Sequence, residues 1–421
     1  MKKVILLLLN CFILSSSFGQ ASTIIAKFSR FYKANQADSI YTLFSAPMKS
    51  ALHAEGNRQF FKEMKEQLGE ITGTTASPVQ TGSITEFRLS FEKPIMDYAV
   101  YIENEKVAGI YQKEISKKRA DALPDESPDN FSVENKIGKL YGTLTLPKQQ
   151  GKVPVVVMIG GSGPTDRNMN QGKELSTNSF LMLAKGLAAN GIAAVRYDKR
   201  AVGKSAGANK TLNILLDDYI EDANLFFNKL SADNRFSKVI ILGHSEGALI
   251  GLISALQVKP AAYISLCGME HNLIDLMGQQ LKPVLSPQDY QVFREVADSL
   301  KAGKMVSRAM PSTFAPLFTP SSQSFLISSL KYDASTEIKK LNIPLLVVGG
   351  TTDIQIPAVA ATHLAKLNSR ATLKIIPEMN HILKRAPSDQ ALNVATYSIP
   401  SLPLHPGLLP VITAFIKSNI K

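Results

Sequence analysis

Val239-Ile240-Ile241-Leu242-Gly243-His244-Ser245-Glu246-Gly247-Ala248-Leu249-Ile250-Gly251 is the stretch whose reading decides the fold. Four aliphatic residues run straight into Gly-His-Ser-Glu-Gly, and a small-residue, apolar helical pattern starts at once. The spacing predicts a buried strand, a very sharp turn with Ser245 at its apex, and a helix. A turn this tight strains the serine backbone, and Gly243 and Gly247 leave room for neighbouring segments to pass closely. The helix start aims free backbone N–H groups at whatever sits on the serine oxygen, an arrangement suited to a developing oxyanion. Ser245 is therefore the candidate nucleophile.

Working outward, strands and helices alternate. A hairpin-like opening at Lys139 to Pro147 leads to the apolar strand Val153–Ile159, helix Phe180–Ala189 and strand Ile192–Tyr197. A helix around Leu212–Leu230 precedes the Val239 strand, and strand Ala261–Leu266 follows the elbow helix. Strand Pro344–Val348, helix Ala358–Leu367, strand Thr372–Ile376 and a helix near Leu408–Lys417 close the chain. Continuous apolar strands alternating with helices indicate a mostly parallel sheet covered on both faces. Residues from about 269 to 337 interrupt the alternation with helical, proline-punctuated sequence. They are expected to form a cap over the carboxyl ends of the strands, where such sheets hold their sites.

A serine hydroxyl is a poor nucleophile without an adjacent base, and the base needs an orienting acid. Of the histidines, His53 lies in another segment, His363 falls mid-helix, His405 is wedged near prolines and His244 is expected to point away from the serine. His381, in the loop after strand Thr372–Ile376, is the candidate base. Asp353, just past strand Pro344–Val348, is the candidate acid, placed to hold one imidazole tautomer and stabilise the imidazolium. Asp333, Glu337 and Asp389 follow no core strand and are weaker. The chain order Ser245, Asp353, His381 is that of an α/β-hydrolase. Gly160-Gly161-Ser162-Gly163-Pro164-Thr165-Asp166-Arg167 follows the Val153 strand. Its Gly161 or Ser162 N–H is expected to complete an oxyanion hole with the Glu246 N–H. Asp198 and Arg200 are expected to brace this loop. Gly203-Lys204-Ser205 ends like a phosphate-binding loop, but the leading glycine position holds Asp198. No His-Glu-x-x-His and no paired cysteines occur, so neither a metal nor another cofactor is expected.

At 421 residues the chain exceeds one average domain, and its 45% hydrophobic content suits a soluble globular protein. Met1-Lys2-Lys3, an apolar run to Leu14 and then Ser15-Ser16-Ser17-Phe18-Gly19 read as a signal peptide over residues 1–19. Export to a periplasmic or extracellular space follows. The apolar run is shorter than the roughly 20 residues of a spanning helix, so no membrane span is expected. With Cys11 in that segment, Cys267 is left alone and is read as a small core hydrophobe. The formal charge of +12 comes from scattered lysines not interleaved with aromatics, which argues against nucleic acid. Residues 20–115 show helical spacing (Ile24, Ile25, Phe28, Phe31, Tyr32; then Phe60, Phe61, Met64, Leu68) and later a period of two (Phe87, Leu89, Phe91), predicting a small α+β domain. The polar, proline-bearing residues 116–130 have a linker composition. Nothing in the sequence specifies an oligomeric state.

Residues 131–421 resemble the α/β-hydrolase superfamily, in particular bacterial serine carboxylesterases and acyl hydrolases. The markers are Gly160-Gly161-Ser162-Gly163-Pro164-Thr165-Asp166-Arg167, Tyr197-Asp198-Lys199-Arg200, Gly243-His244-Ser245-Glu246-Gly247 and Asn380-His381. Residues 22–115 resemble the small domain of unknown function that precedes some of these enzymes. One departure is Arg200-Ala201, where relatives carry Arg-Gly; a non-glycine at 201 is expected to shift that turn. The resemblance implies hydrolysis of a small-molecule ester through an acyl-enzyme. A serine peptidase or aminopeptidase on the same three residues is the first alternative, and a non-catalytic binding protein that keeps the fold is the second.

Overall fold

The computed structural model describes residues 20–76, 84–92, 97–113, 128–149, 151–172, 175–208 and 213–420. The signal peptide read over residues 1–19 and most of the linker read over 116–130 lie outside these. The described chain divides into two compact units. One is the N-terminal segment up to Ala122 together with Val394–Leu402, and the other is Leu123–Asn393 with Pro403–Lys421. The expected domain limit thus differs in two places. Residues 394–402 group with the first unit although they fall inside the span 131–421. Residues 128–130, read as linker, are tied into the second unit. Asn130 exchanges hydrogen bonds with the backbone of Leu144 (2.7 and 3.0 Å), and the Pro128 carbonyl accepts from Thr143 Oγ1 (3.1 Å).

In the first unit, α1 (residues 20–33), α2 (Ala37–Thr42), α3 (Ala46–Ala51) and α4 (Ala54–Leu68) precede a four-stranded antiparallel sheet. Its order is β1 (Ile71–Ala76), β2 (Thr85–Phe91), β3 (Asp97–Glu103) and β4 (Lys106–Lys113). The period of two in β2 is what buries Phe87, Leu89 and Phe91 on one face. Phe28, Tyr32, Phe61, Met64 and Leu68 from the helices are buried, with Phe28 edge-on to Phe61 at 5.6 Å and Tyr32 to Phe91 at 5.8 Å.

The second unit is built on an eight-stranded sheet, β5 (Phe131–Asn135), β6 (Gly138–Thr145), β7 (Val153–Ile159), β8 (Ala193–Tyr197), β9 (Phe236–His244), β10 (Ala262–Leu266), β11 (Leu345–Gly350) and β12 (Ala371–Ile376). The spatial order is β12-β11-β10-β9-β7-β8-β6-β5, with β5 and β6 antiparallel and β7 to β12 parallel. The continuous apolar runs have a visible cause. Val155, Val157, Ile159 and Ile241 enter one core, which the helices α6 (Leu216–Ser231) and α7 (Glu246–Val258) complete. Val156, Met158, Ile240 and Leu242 enter the opposite core, with α5 (Ser179–Ala189) and α14 (Leu408–Asn419). Both faces of the inner strands β7, β8, β10 and β11 are therefore dry. The connection from β7 leads to β8 on one side, whereas β9 lies on the other, so the strand order reverses at β7 and opens a crevice at its carboxyl end.

The interruption at 269–337 forms α8 (Leu273–Leu281), α9 (Pro287–Lys301), α10 (Pro320–Ser329) and the single turn α11 (Ala334–Glu337). It has its own core of Ile274, Phe293, Val296, Leu300, Phe314, Phe318 and Leu326. Among the contacts that anchor it, Ser328 Oγ accepts from the Leu216 amide (2.9 Å), Tyr332 donates to Asp217 (2.7 Å) and Gln280 donates to the Gln355 carbonyl (3.1 Å). The apolar side chains of α8 are spent on packing: Leu273, Ile274, Leu276, Met277 and Leu281 all lie against core clusters.

Candidate active site

The elbow is formed as its glycines require. Ser245 has φ 56° and ψ −124°, a left-handed conformation that costs a non-glycine residue of order 1–3 kcal/mol. A Cβ on Gly243 would stand 2.0 Å from the Gly247 carbonyl oxygen, and one on Gly247 would stand 2.4 Å from that of Ile159. The Ser245 amide donates to the Leu266 carbonyl (3.0 Å), which fastens the apex to the end of β10.

The structure brings Ser245, His381 and Asp353 together. His381 Nε2 lies 3.0 Å from Ser245 Oγ, and His381 Nδ1 lies 2.8 Å from Asp353 Oδ2. The ionised partner defines the tautomer: Nδ1–H donates to the carboxylate, leaving Nε2 to accept from the serine hydroxyl. All three are buried. The other Asp353 oxygen, Oδ1, accepts from the amides of Gln355 (2.9 Å) and Ile356 (2.8 Å). Burial alone would raise the Asp353 pKa, but His381 and these two amides outweigh it and hold the carboxyl below its ordinary value.

His244 does more than the sequence suggested. Its Nε2–H donates to the carbonyl of His381 at 2.7 Å, so the residue before the serine holds the loop of the base. Burial, reinforced by the nearby His381, pushes its pKa down to about 3, so the ring is neutral. Ser179 Oγ grips the same loop from α5, donating to the Ile382 carbonyl at 2.7 Å. Cys267 is buried, as a core hydrophobe would be, but its thiol also sits against the Asp353 carboxylate. Burial and that carboxylate push its pKa well up. Donor atoms of His244, Cys267 and His381 lie within 4.8 Å of one another, although both rings are already engaged as described.

The loop after β7 runs beside the serine. Gly161 is so close that a Cβ there would be 3.1 Å from the Ser245 Cβ. Ser162 Oγ donates to Glu246 Oε2 (3.2 Å), and Glu246 Oε1 faces Lys199 Nζ at 3.4 Å. Lys199 Nζ also donates to the Gly161 carbonyl and lies 4.5 Å over the Tyr219 ring. Burial lowers the Lys199 pKa, against the opposing pull of Glu246. Because α7 begins at Glu246, its first-turn amides have no acceptor within the helix. The loop beyond is stiffened by Asp166, whose Oδ1 accepts from the amides of Asn168 (2.8 Å) and Asn170 (2.9 Å).

Asp198 and Arg200 brace rather than line the site. Asp198 takes a fork from Arg167 (3.1 and 2.6 Å), and Arg200 forks onto Asp222 of α6 (2.8 and 2.6 Å), all four buried. Ala201 takes φ 65° itself, the left-handed conformation a glycine would supply there without strain. The weaker acids are accounted for structurally: Asp333 caps α11, Glu337 pairs with Lys340, and Asp389 accepts from the Leu392 amide at the start of α13 (Gln390–Ala395). His363 and His271 face Glu270 at 3.1 and 3.6 Å.

A cavity of about 240 Å³ opens on Ser245 and His381, lined also by Gly161, Ser162, Met169, Leu175, Gln355 and Ile382. No residue of 269–337 is among those that line it, although Gln280 of α8 donates to the carbonyl of Gln355, which does.

The strand order, the elbow and the Ser–His–Asp arrangement are those of the α/β-hydrolase fold. Residues 170–274 match the family described as serine aminopeptidase, S33. Esterase EstD of Thermotoga maritima is 27% identical over 355 residues, which is 82% of this chain and 84% of that protein. Among solved structures, Est1E from Butyrivibrio proteoclasticus with ferulic acid bound gives a TM-score of 0.47 at 15% identity, covering 69% of this chain and 99% of that one. An esterase from Pyrococcus furiosus gives 0.43 at 15% identity, covering 73% and 96%.

Proposed function

We propose that the protein is a serine esterase that hydrolyses small carboxylic esters through an acyl-enzyme. Ser245 Oγ attacks the acyl carbon while His381 Nε2 takes its proton. The tetrahedral oxyanion rests on backbone amides of the Gly161/Ser162 loop and Glu246. His381 returns the proton to the leaving alkoxide, then activates water to release the acid, and Asp353 orients the imidazole throughout. The observation that carries this is the unbroken chain Ser245 Oγ–His381–Asp353 at 3.0 and 2.8 Å beside a helix start. Resemblance to Esterase EstD over most of the chain favours an ester as the bond cleaved. The family match named for aminopeptidases supports the second reading. Against it, among the described residues no side chain lining the cavity is acidic, so none of these complements a substrate ammonium.

The test is labelling with a fluorophosphonate and steady-state hydrolysis of p-nitrophenyl esters beside aminoacyl p-nitroanilides. Wild type labels and turns over the esters, and Ser245→Ala does neither. Faster turnover of the anilides selects the peptidase, and absence of labelling overturns both readings. We also propose export, supported by the basic start and apolar run of residues 1–19. N-terminal sequencing of the protein recovered from its native host would show a start near residue 20. No helix among the described residues is long and apolar enough to cross a membrane.

A further inference from the structure

The mechanism above leaves a buried lysine without a task. Lys199 is 3% exposed on a turn after β8, and an ammonium is placed in such a site only at a considerable desolvation cost. Its Nζ is held at three points: the Gly161 carbonyl, Glu246 Oε1 at 3.4 Å and the Tyr219 face at 4.5 Å. Two of these belong to the segments that supply the candidate oxyanion donors. Thr165 Oγ1 also donates to the Gly161 carbonyl, at 3.2 Å.

The geometry of that peptide has a consequence. No cis peptide bond occurs among the described residues, and in a trans peptide the C=O and the following N–H point in opposite directions. With the Gly161 carbonyl turned into the protein onto Lys199, the Ser162 N–H of the same peptide turns away from it, toward the cavity that Gly161, Ser162 and Ser245 line. A cation on the carbonyl draws electron density along the peptide and makes its N–H a stronger donor. Glu246 completes the frame. Its carboxylate balances Lys199 and holds Ser162 Oγ at 3.2 Å, so both flanks of the peptide are tied to the elbow.

We propose that Lys199 is a positioning residue for ester hydrolysis: its ammonium on the Gly161 carbonyl orients and polarises the Gly161–Ser162 peptide, which makes the Ser162 N–H, rather than that of Gly161, the loop's oxyanion donor. This rests on the serine-esterase reading.

The experiment compares wild type with Lys199→Met on matched p-nitrophenyl esters and thionoesters. Sulfur is a weak hydrogen-bond acceptor, so a thiono substrate gains little from an oxyanion donor. The expected result is a fall in kcat of about 10- to 100-fold on the oxoester, short of the 10²–10³ for outright loss of a donor. KM should stay within about threefold, and the preference for oxygen over sulfur should shrink by the same factor as kcat. A kcat within twofold of wild type overturns the proposal. So does an equal loss on both substrates, which would make Lys199 a structural support only. If Lys199→Met does not fold, Lys199→Gln carries the same readout, since its amide still satisfies the Gly161 carbonyl without the charge; an unchanged oxo/thiono ratio there overturns the proposal. A wild type inert on both substrates would instead defeat the esterase reading itself.

Discussion

Replacing Asp353 by Asn tests the orientation of the base most directly. The Gln355 and Ile356 amides both aim at Oδ1, at 2.9 and 2.8 Å. An Asn must keep its carbonyl oxygen there, because its NH2 would set donors against donors. The NH2 then faces His381 Nδ1 across the 2.8 Å contact, and Nδ1 becomes the acceptor. The imidazole proton moves to Nε2, 3.0 Å from Ser245 Oγ, and the ring can no longer take the hydroxyl proton. A tautomer error of this kind lowers kcat by about 10⁴, or about 5 kcal/mol of transition-state stabilisation. The assay is kcat and kcat/KM on a p-nitrophenyl ester at neutral pH, with the thermal midpoint measured alongside to show that the fold is intact. A loss of less than tenfold in a folded variant would refute the assignment of Asp353 and the tautomer argument with it.

The second prediction concerns acid. His244 is neutral in the fold, with its pKa down at about 3, whereas an unfolded histidine protonates near 6.5. The unfolded chain therefore binds more protons below about 6.5, and stability falls as pH drops from there toward 3. Asp353, held below its ordinary value, adds a loss of the same sign at lower pH, as protons reach the unfolded carboxylate first. Melting midpoints from pH 8 to pH 4 should decline, less steeply in His244→Gln. Gly243→Ala places a Cβ 2.0 Å from a carbonyl oxygen and should cost more than about 4 kcal/mol or abolish soluble expression. Gly207→Ala meets nothing within 4 Å and should lie within about 0.5 kcal/mol of wild type by denaturant unfolding. Asp222→Ala strands the buried Arg200 guanidinium, leaving the partly exposed Asp218 as an ion-pair partner, and should cost about 3–5 kcal/mol by the same measurement. Ala201→Gly relieves a φ of 65° and, after the entropy glycine adds to the unfolded chain, should stabilise by about 0.5 kcal/mol.

The parallel sheet was legible because burial on both faces leaves a continuous apolar run closed by turn residues, as at Val155–Ile159 and Val239–Leu242. The edge strand β1 (Ile71–Ala76) was not, because one strand neighbour and one covered face allow the polar Thr72, Thr74 and Thr75. Ser245, Asp353 and His381 stood out because each follows a core strand. What stayed hidden were side chains whose meaning depends on the direction they take on leaving the backbone. His244 was expected to point away from the serine, yet it grips the carbonyl of His381. Cys267 looked like filler and lies on the carboxylate. Lys199 was one lysine among many until the fold enclosed it. The insertion at 269–337 was correctly helical, but its apolar residues fill their own core, and hydrophobic content alone could not separate that outcome from a surface lining the cavity.

The elbow carries its own scaffolding on either flank of the reactive oxygen. The residue before Ser245 moors the loop of the base, and the residue after it moors the Gly161–Ser162 loop. Five consecutive positions thus act as one transplantable module with two sockets, the His381 carbonyl and the Ser162–Lys199 pair. Exchanging the serine's neighbours with those of another hydrolase would leave the nucleophile in place while loosening two distant loops at once. Any graft of this site has to move the plug and both sockets together.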